Sequence, residues 1–303
     1  MASFHVTVSD SVFPNLDPAR QVLATIGADL RMADTPTPEG IVGAAASSDA
    51  LLVTYAKITA DMIRKMPKCR VISRFGIGVD NVDIDAATAS GIVVTKVPDY
   101  CIDEVSDHAM ALLLAVVRKI PSSSARTHGG RWEMKAVVPI HRLRGSVLGL
   151  AGFGRIPQLV APKAQAFGMK VVAYDPFIPA DVFSRAGVEK VELPTLLATS
   201  DYVSVHTPLT PETRNLFNRD TFGQMKRGAY IVNTARGPII DEAALAEALD
   251  SGQIGGAALD VMTQEPPTTS PLFGRDNVII TPHTSFYSEE SLCLLYTSDA
   301  ADE

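Results

Sequence analysis

Three residues far apart in the chain, Arg236, Glu265 and His283, have side chains that together could run acid–base chemistry on a carboxylate-bearing molecule. An imidazole titrates near neutral pH, so His283 can give or take a proton at a reacting oxygen. Glu265, if bonded to the other ring nitrogen, would orient the ring and stabilise its charged form. Arg236 offers a rigid fork of donors that fits a carboxylate and can polarise a neighbouring carbonyl. Each residue also has a plainer reading. Arg236 after Asn-Thr-Ala can be a surface residue, Glu265-Pro266-Pro267 an acidic turn, and His283 after Thr-Pro a strand-end histidine bonded to backbone.

What sets the three apart is where they fall. Each follows a short apolar run of strand character, at 229–233, 256–259 and 278–281. Ligands of open parallel sheets bind beyond the carboxyl ends of the strands, so an arginine, an acid and a histidine delivered there can converge. A fourth run, 146–151, leads into Gly152-Phe153-Gly154-Arg155-Ile156 and then a helix. Gly152 can supply the tight turn, and Gly154 lets backbone approach a pyrophosphate at the helix N-terminus. The next strand ends at Tyr174-Asp175-Pro176, about 20 residues on, where an acid that bonds a ribose 2′-OH is expected. A carboxylate there favours NAD over NADP, because it would repel a 2′-phosphate. The bland alternative is a glycine turn that merely joins strand to helix. The third glycine of the pattern is replaced by Pro157, and Pro162 follows. Proline in the first turn is tolerated, but an interior proline costs roughly 3 kcal/mol and kinks the helix. A bent helix is therefore expected.

The elements that must position these residues alternate along the chain. Further strands are expected at 5–8, 50–54, 71–74, 92–95, 170–174 and 202–205, and helices at 18–27, 59–66, 84–90, 155–167, 193–199 and 242–251. Such alternation means parallel sheets with crossover helices. It is interrupted once, by a long helix at 103–120 and a polar stretch at 121–144, so two α/β units meet near residue 100. The chain has 303 residues, and a prior of about 150 residues per domain agrees. A net charge of −7 with no basic run argues against nucleic acid. Three cysteines without a metal-binding spacing suit a reducing compartment, and no apolar run is long enough to span a membrane. A soluble cytoplasmic protein without a metal is expected. Residues 291–303 resemble translated adapter sequence, are read as ending without a completed helix or strand, and are given no functional weight.

In combination, Gly152-Phe-Gly154, Tyr174-Asp175-Pro176, His206-Thr207-Pro208, Asn233-Thr234-Ala235-Arg236-Gly237, Asp260 with Glu265-Pro266, and Pro282-His283 resemble the D-isomer-specific 2-hydroxyacid dehydrogenase family. The resemblance runs over about residues 49–290. It implies two doubly wound parallel-sheet domains: a flavodoxin-like substrate domain at 1–100, to which 285–303 returns, and a Rossmann NAD-binding domain at 101–284. It implies hydride transfer between NAD and a small 2-hydroxy or 2-keto acid, with His283 as proton donor or acceptor, Glu265 as its partner and Arg236 on the substrate carboxylate. Arg74-Phe-Gly76-Ile77-Gly78-Val-Asp80-Asn81 matches the family's substrate-binding glycine loop, and Arg74 the position that can meet a phosphate. The cofactor contacts implied are Val105, Gly152, Phe153, Gly154, Arg155, Ile156, Asp175, Pro176, His206, Thr207, Pro208, Thr213, Thr234, Ala235, Arg236, Asp260 and His283. Val105 would lie near the nicotinamide ring and Asp260 near its carboxamide. A formate-dehydrogenase-like member is disfavoured, because that branch pairs its histidine with a glutamine. Members of the family pair through the cofactor domain, which implies a homodimer using 121–144. The segment Tyr100-Cys-Ile-Asp-Glu-Val-Ser-Asp-His108 also looks close to C-terminal-binding-protein-like members, so an NAD(H)-sensing protein-binding module with little turnover is the alternative. Asp80, Asp83 and Asp85 read as helix caps, and His108 as a residue packed on the long helix.

Overall fold

The computed structural model describes residues 4–297. Contacts divide the chain into two compact units, Met1–Cys101 with Tyr287–Glu303, and Ile102–Phe286. The first unit alternates β1 (His5–Val8), α1 (Asp17–Ala24), β2 (Asp29–Met32), α2 (Pro38–Ala45), β3 (Ala50–Val53), α3 (Ala60–Arg64), β4 (Val71–Arg74), α4 (Ile84–Ala89) and β5 (Val93–Lys96). Its strands lie in the order β2-β1-β3-β4-β5, every pair parallel. That is the flavodoxin-like doubly wound order. The inner strands supply the core, with Val8, Leu51, Val53 and Ile72 fully buried. Thr37, Thr59 and Asp83 begin α2, α3 and α4 by accepting a backbone N–H of the first turn. Of the three aspartates expected to cap, Asp83 caps α4 and Asp85 stands in its first turn.

The second unit opens with α5 (Ile102–Val117) and α6 (Ile120–His128). It continues through β6 (Val147–Ala151), α7 (Arg155–Ala166), β7 (Lys170–Tyr174), α8 (Ala180–Arg185), β8 (Glu189–Lys190), α9 (Leu193–Thr199), β9 (Tyr202–Val205), α10 (Arg219–Gln224), β10 (Ala229–Asn233), α11 (Glu242–Asp250), β11 (Ile254–Leu259) and β12 (Val278–Ile280). These strands form a seven-stranded parallel sheet in the order β12-β11-β10-β9-β6-β7-β8. Read from β8 this is the Rossmann order, whose direction reverses between β6 and β9. One apolar cluster takes Val203, Val205, Ile231, Leu245 and Ile254, and another takes Leu113, Leu148, Leu150, Val160 and Val232. Successive residues Ile231 and Val232 enter opposite clusters, so both faces of the sheet are covered, as parallel sheets require.

The structure corrects the sequence reading at several places. The stretch expected to be a polar connection contains α6, none of whose residues is buried. β2, α2, α8, β8 and α10 were not foreseen. α7 runs from Arg155 to Ala166, close to the expected range, with Pro162 inside it. Pro157 occupies its third position, where the missing N–H has no intrahelical partner to lose, and Pro162 is exposed between the buried Ala161 and Ala164. The segment read as ending without an element forms α12 (Glu289–Thr297), with Ser291, Leu292 and Leu295 buried. α12 packs against α1 within the first unit. Residues 298–303 of that segment lie outside the described residues. No helix among the described residues is long and apolar enough to cross a membrane.

Candidate active site

At the reversal between β6 and β9 the chain leaves β6 through Gly152, whose φ of 96° favours glycine. A Cβ there would sit 2.8 Å from the His206 carbonyl carbon and 2.9 Å from the Thr207 nitrogen. The turn after β6 and the turn after β9 thus lie backbone to backbone. Phe153 is fully buried and stacks on Phe183 at 4.4 Å between centroids. Gly154 then caps α7, and Arg155 and Ile156 open it. Asp175 follows β7 and reaches back, accepting from the Phe153 N–H at 2.9 Å and the Phe177 N–H at 3.0 Å. Pro176 beside it is exposed. Thr207 Oγ1 and Thr234 Oγ1, at the ends of β9 and β10, are buried with no hydrogen-bond partner among the described residues. Buried hydroxyls normally have one, so this pair marks a place for a polar ligand. Thr213 Oγ1 donates to the Pro208 carbonyl at 2.6 Å and accepts from the Thr210 N–H at 2.8 Å, pinning the loop after β9. Glycine turn, helix N-terminus, spaced acid and two orphaned hydroxyls fit a dinucleotide along this edge.

Further along the same edge, Arg236, Glu265 and His283 follow β10, β11 and β12. Asn233 folds the first of these turns over itself: its Oδ1 accepts from the Ala235 N–H at 2.9 Å, and its Nδ2 donates to the Arg236 carbonyl at 2.9 Å. The Arg236 guanidinium donates to the Ala235 carbonyl at 2.7 Å. Gly237 then lies directly on the backbone of Met262 and Thr263, where any side chain would collide. This close approach brings the arginine turn against the loop that carries Glu265. The Glu265 carboxylate accepts from the Met262 N–H at 2.9 Å through Oε1 and meets His283 Nδ1 at 2.6 Å through Oε2. The carboxylate therefore fixes a proton on Nδ1 and leaves Nε2 to act. His283 has φ 52°, in the left-handed region, and its N–H donates to the Asp260 carbonyl at 2.8 Å. Among the described residues no group of three or more His, Cys, Asp or Glu is arranged to hold a metal.

His206 has a different character. Burial of its ring pushes the pKa down to about 3, and Nε2 lies 2.8 Å from Ser204 Oγ. The ring is neutral at physiological pH and suits a cofactor-side packing role better than proton transfer. Val105, on α5, is buried at 6% exposure. Asp260 is fully buried; its Oδ1 accepts from Thr281 Oγ1 at 2.5 Å and from the Thr284 N–H at 3.0 Å, and its Oδ2 from the Ser285 N–H at 2.9 Å. The side chain assigned by resemblance to a nicotinamide carboxamide is thus also the anchor of the turn that presents His283.

In the first unit, Arg74 ends β4 and the chain continues through Phe75, Gly76, Ile77 and Gly78. Gly76 takes φ 149°, a conformation that favours glycine, and a Cβ there would meet the Arg74 guanidinium. Burial raises the pKa of the nearby Tyr100 hydroxyl above its ordinary range, with the charge of Arg74 acting the other way. The loop after β3 is fixed by Asp10, whose carboxylate accepts from the Thr54, Tyr55 and Ala56 N–H groups at 3.2, 2.6 and 3.3 Å. Asn81 Nδ2 donates to the Thr54 and Ala56 carbonyls at 3.3 and 3.0 Å.

Several of these supporting residues were not singled out from sequence. Asp10, Asn81 and Thr281 act at long range, and only folding shows their partners. Glu242 is another: its carboxylate accepts from the Thr263 N–H at 2.7 Å and from Ser270 Oγ at 2.9 Å, clamping the Glu265 loop. The available signals were Asn233, which stands in the motif that contains Arg236, and Asn81, which closes the motif that begins at Arg74.

The model of the D-isomer specific 2-hydroxyacid dehydrogenase NAD binding domain matches residues 110–285. The chain is similar to D-3-phosphoglycerate dehydrogenase of Methanocaldococcus jannaschii, at 42% identity over 280 residues, covering 92% of this chain and 53% of that protein. It is similar to the Homo sapiens protein of the same name at 40% identity over 288 residues, covering 94% and 53%. The chain thus spans about half the length of these curated relatives. Among solved structures it resembles D-lactate dehydrogenase from Aquifex aeolicus complexed with NAD and lactic acid, with TM-score 0.88 and 30% identity over 97% of this chain and 92% of the other. A glyoxylate reductase from Paecilomyes thermophila gives TM-score 0.87 and 27% identity over 97% and 94%.

Proposed function

This chain belongs to the D-isomer specific 2-hydroxyacid dehydrogenase family, and from that premise we propose that it interconverts a D-2-hydroxy acid and its 2-keto acid with NAD. The observation that carries the reading is the 2.6 Å pairing of Glu265 with His283 Nδ1, on the sheet edge that also delivers Arg236. When bound, NADH supplies the hydride. His283 Nε2 gives a proton to the developing alkoxide oxygen and takes it back in the oxidative direction. Glu265 keeps the ring in the tautomer this needs and offsets the charge it carries in between. Arg236 holds the substrate carboxylate beside the carbonyl. In this reading the second unit binds NAD through Gly152, Gly154, Asp175, Thr207 and Thr234, with Asp175 selecting against a 2′-phosphate. The first unit binds the acid through Arg74, Gly76, Ile77 and Gly78.

Two finer features belong to the same proposal. The chain acts in the cytoplasm, in keeping with its odd number of cysteines. It also works as a homodimer. α6 has no buried residue, and Trp132, Met134 and Val138 after it are 90%, 77% and 54% exposed. α6 touches α5 but buries none of its residues, and a second copy covering this segment completes its packing.

The test is a panel of 2-keto acids, including glyoxylate, pyruvate, hydroxypyruvate and its phosphate, assayed with NADH and with NADPH. NADH-dependent reduction of at least one member is expected. Tight NADH binding with no turnover on any member would overturn the enzyme reading in favour of an NAD(H)-sensing binding module.

A further inference from the structure

Behind the Glu265–His283 pair lies a second pairing of histidine with carboxylate. His108, on α5, points Nε2 at Thr281 Oγ1 across 3.2 Å and at Asp260 Oδ1 across 3.5 Å. The Asp260 side chain is wholly buried and that of His108 is 25% exposed. Thr281 has one hydroxyl proton, and its 2.5 Å contact with Asp260 Oδ1 directs that proton to the carboxylate. The Thr281 oxygen is then an acceptor, and the group that donates to it is the Nε2–H of His108. A directed chain results, from His108 through Thr281 to Asp260.

The chain ends on the residue that holds the His283 turn. Asp260 accepts from Thr281, Thr284 and Ser285 through its side chain and from the His283 N–H through its backbone carbonyl. His283 itself sits at φ 52°, a conformation that non-glycine residues keep only where the surroundings over-determine it. Asp260 is also a carboxylate removed from water, and such a group needs its full set of donors. His108 is a basic side chain beside it.

We infer that His108 is a positioning residue of the proposed dehydrogenase: its Nε2–H, acting through Thr281 and Asp260, locks the turn from Thr281 to Ser285 and so aims the His283 ring at Glu265. The inference rests on the dehydrogenase reading for its effect on rate, and on geometry alone for its effect on the turn. A packing role for His108 would be satisfied by any side chain of similar volume. The positioning role needs a donor where Nε2 stands.

Three variants of the full chain separate these. His108→Leu keeps bulk and removes the donor, His108→Gln puts an amide N–H near the place of Nε2, and Thr281→Val breaks the chain at its middle link. The first readout is amide hydrogen exchange at Thr284 and Ser285 in protein without cofactor, and the second is kcat and KM on the best substrate of the keto-acid panel. His108→Leu and Thr281→Val are expected to speed exchange of both amides and to lower kcat by about tenfold, the scale of loss that small misplacement of a reacting group brings, with KM little changed. His108→Gln is expected to restore most of both. If His108→Leu matches the wild type in exchange and in kcat, or if His108→Gln is as impaired as His108→Leu, the inference is overturned. If the wild type turns over nothing on the panel, the dehydrogenase reading fails, and the exchange rates still decide whether His108 locks the turn.

Discussion

Glu265 and His283 stand 18 positions apart in sequence, on loops after adjacent parallel strands, and meet at 2.6 Å between Oε2 and Nδ1. The other carboxylate oxygen is held by the Met262 N–H, so Glu265 is oriented before it orients anything else. The loss on removing His283 should therefore exceed the loss on weakening Glu265. His283→Ala is expected to lower kcat by about 100- to 10,000-fold, the range for a general acid or base. Glu265→Gln keeps an acceptor for Nδ1–H but not the charge, and should lose less. NADH titration by fluorescence should move far less than kcat in both. An unchanged kcat in His283→Ala would sink the proton-transfer assignment.

Asp175 lies at the end of β7 with its carboxylate turned toward the Phe153 N–H. A negative charge at this place should exclude a 2′-phosphate by like-charge repulsion, which costs several kcal/mol. Asp175→Ser retains a polar oxygen and removes the charge. The ratio of kcat/KM for NADH over NADPH should fall by about tenfold or more. A ratio that does not move would show that cofactor choice is made elsewhere.

His206 gives a pH dependence whose sign follows from its burial. Its pKa falls from 6.5 to about 3 on folding, so between these values the unfolded chain binds a proton that the folded chain refuses. Stability from this group is complete above pH 6.5 and declines as pH is lowered toward 3. The slope is at most about 1.4 kcal/mol per pH unit. Urea unfolding from pH 7 down to pH 4 should show wild type losing stability faster than His206→Gln. Parallel curves for the two proteins would contradict it.

Trp132 is the sole tryptophan and is 90% exposed in the single chain, which makes it a reporter of the proposed dimer. If a second copy covers it, its emission should be blue-shifted at high concentration and move to the red on dilution. Trp132→Ser should shift the solution mass toward the monomer. A monomeric wild type with red-shifted emission at every concentration would dispose of the dimer.

Much of the fold was legible because its inner strands are short apolar runs. β6, β9 and β10 announce themselves in Val-Leu-Gly-Leu-Ala, Tyr-Val-Ser-Val and Ala-Tyr-Ile-Val-Asn. Edge elements carry no such mark. β2 buries only Leu30, and both residues of β8 are exposed, so neither has an apolar pattern to read. α6 was missed for the same reason, since no residue of it is buried within the chain. At the candidate site the reacting types were visible and their supports were not. Arg236, Glu265 and His283 are marked by what they can do, whereas Glu242, Thr281 and His108 matter through partners brought from elsewhere in the unit. Asp260 lies between the two cases: family likeness gave it a ligand, and the structure gives its oxygens to the turn of His283.

The return of the chain to its first unit has a consequence for the order in which the molecule can be made. Tyr287 onward belongs with Met1–Cys101, and α12 packs on α1, while Ile102–Phe286 is continuous. On the ribosome the second unit emerges whole and can close while synthesis goes on. The strands of the first unit emerge earlier, yet α12 joins them only after the entire second unit has passed. The packing of α12 on α1 therefore forms only after Phe286 has been made.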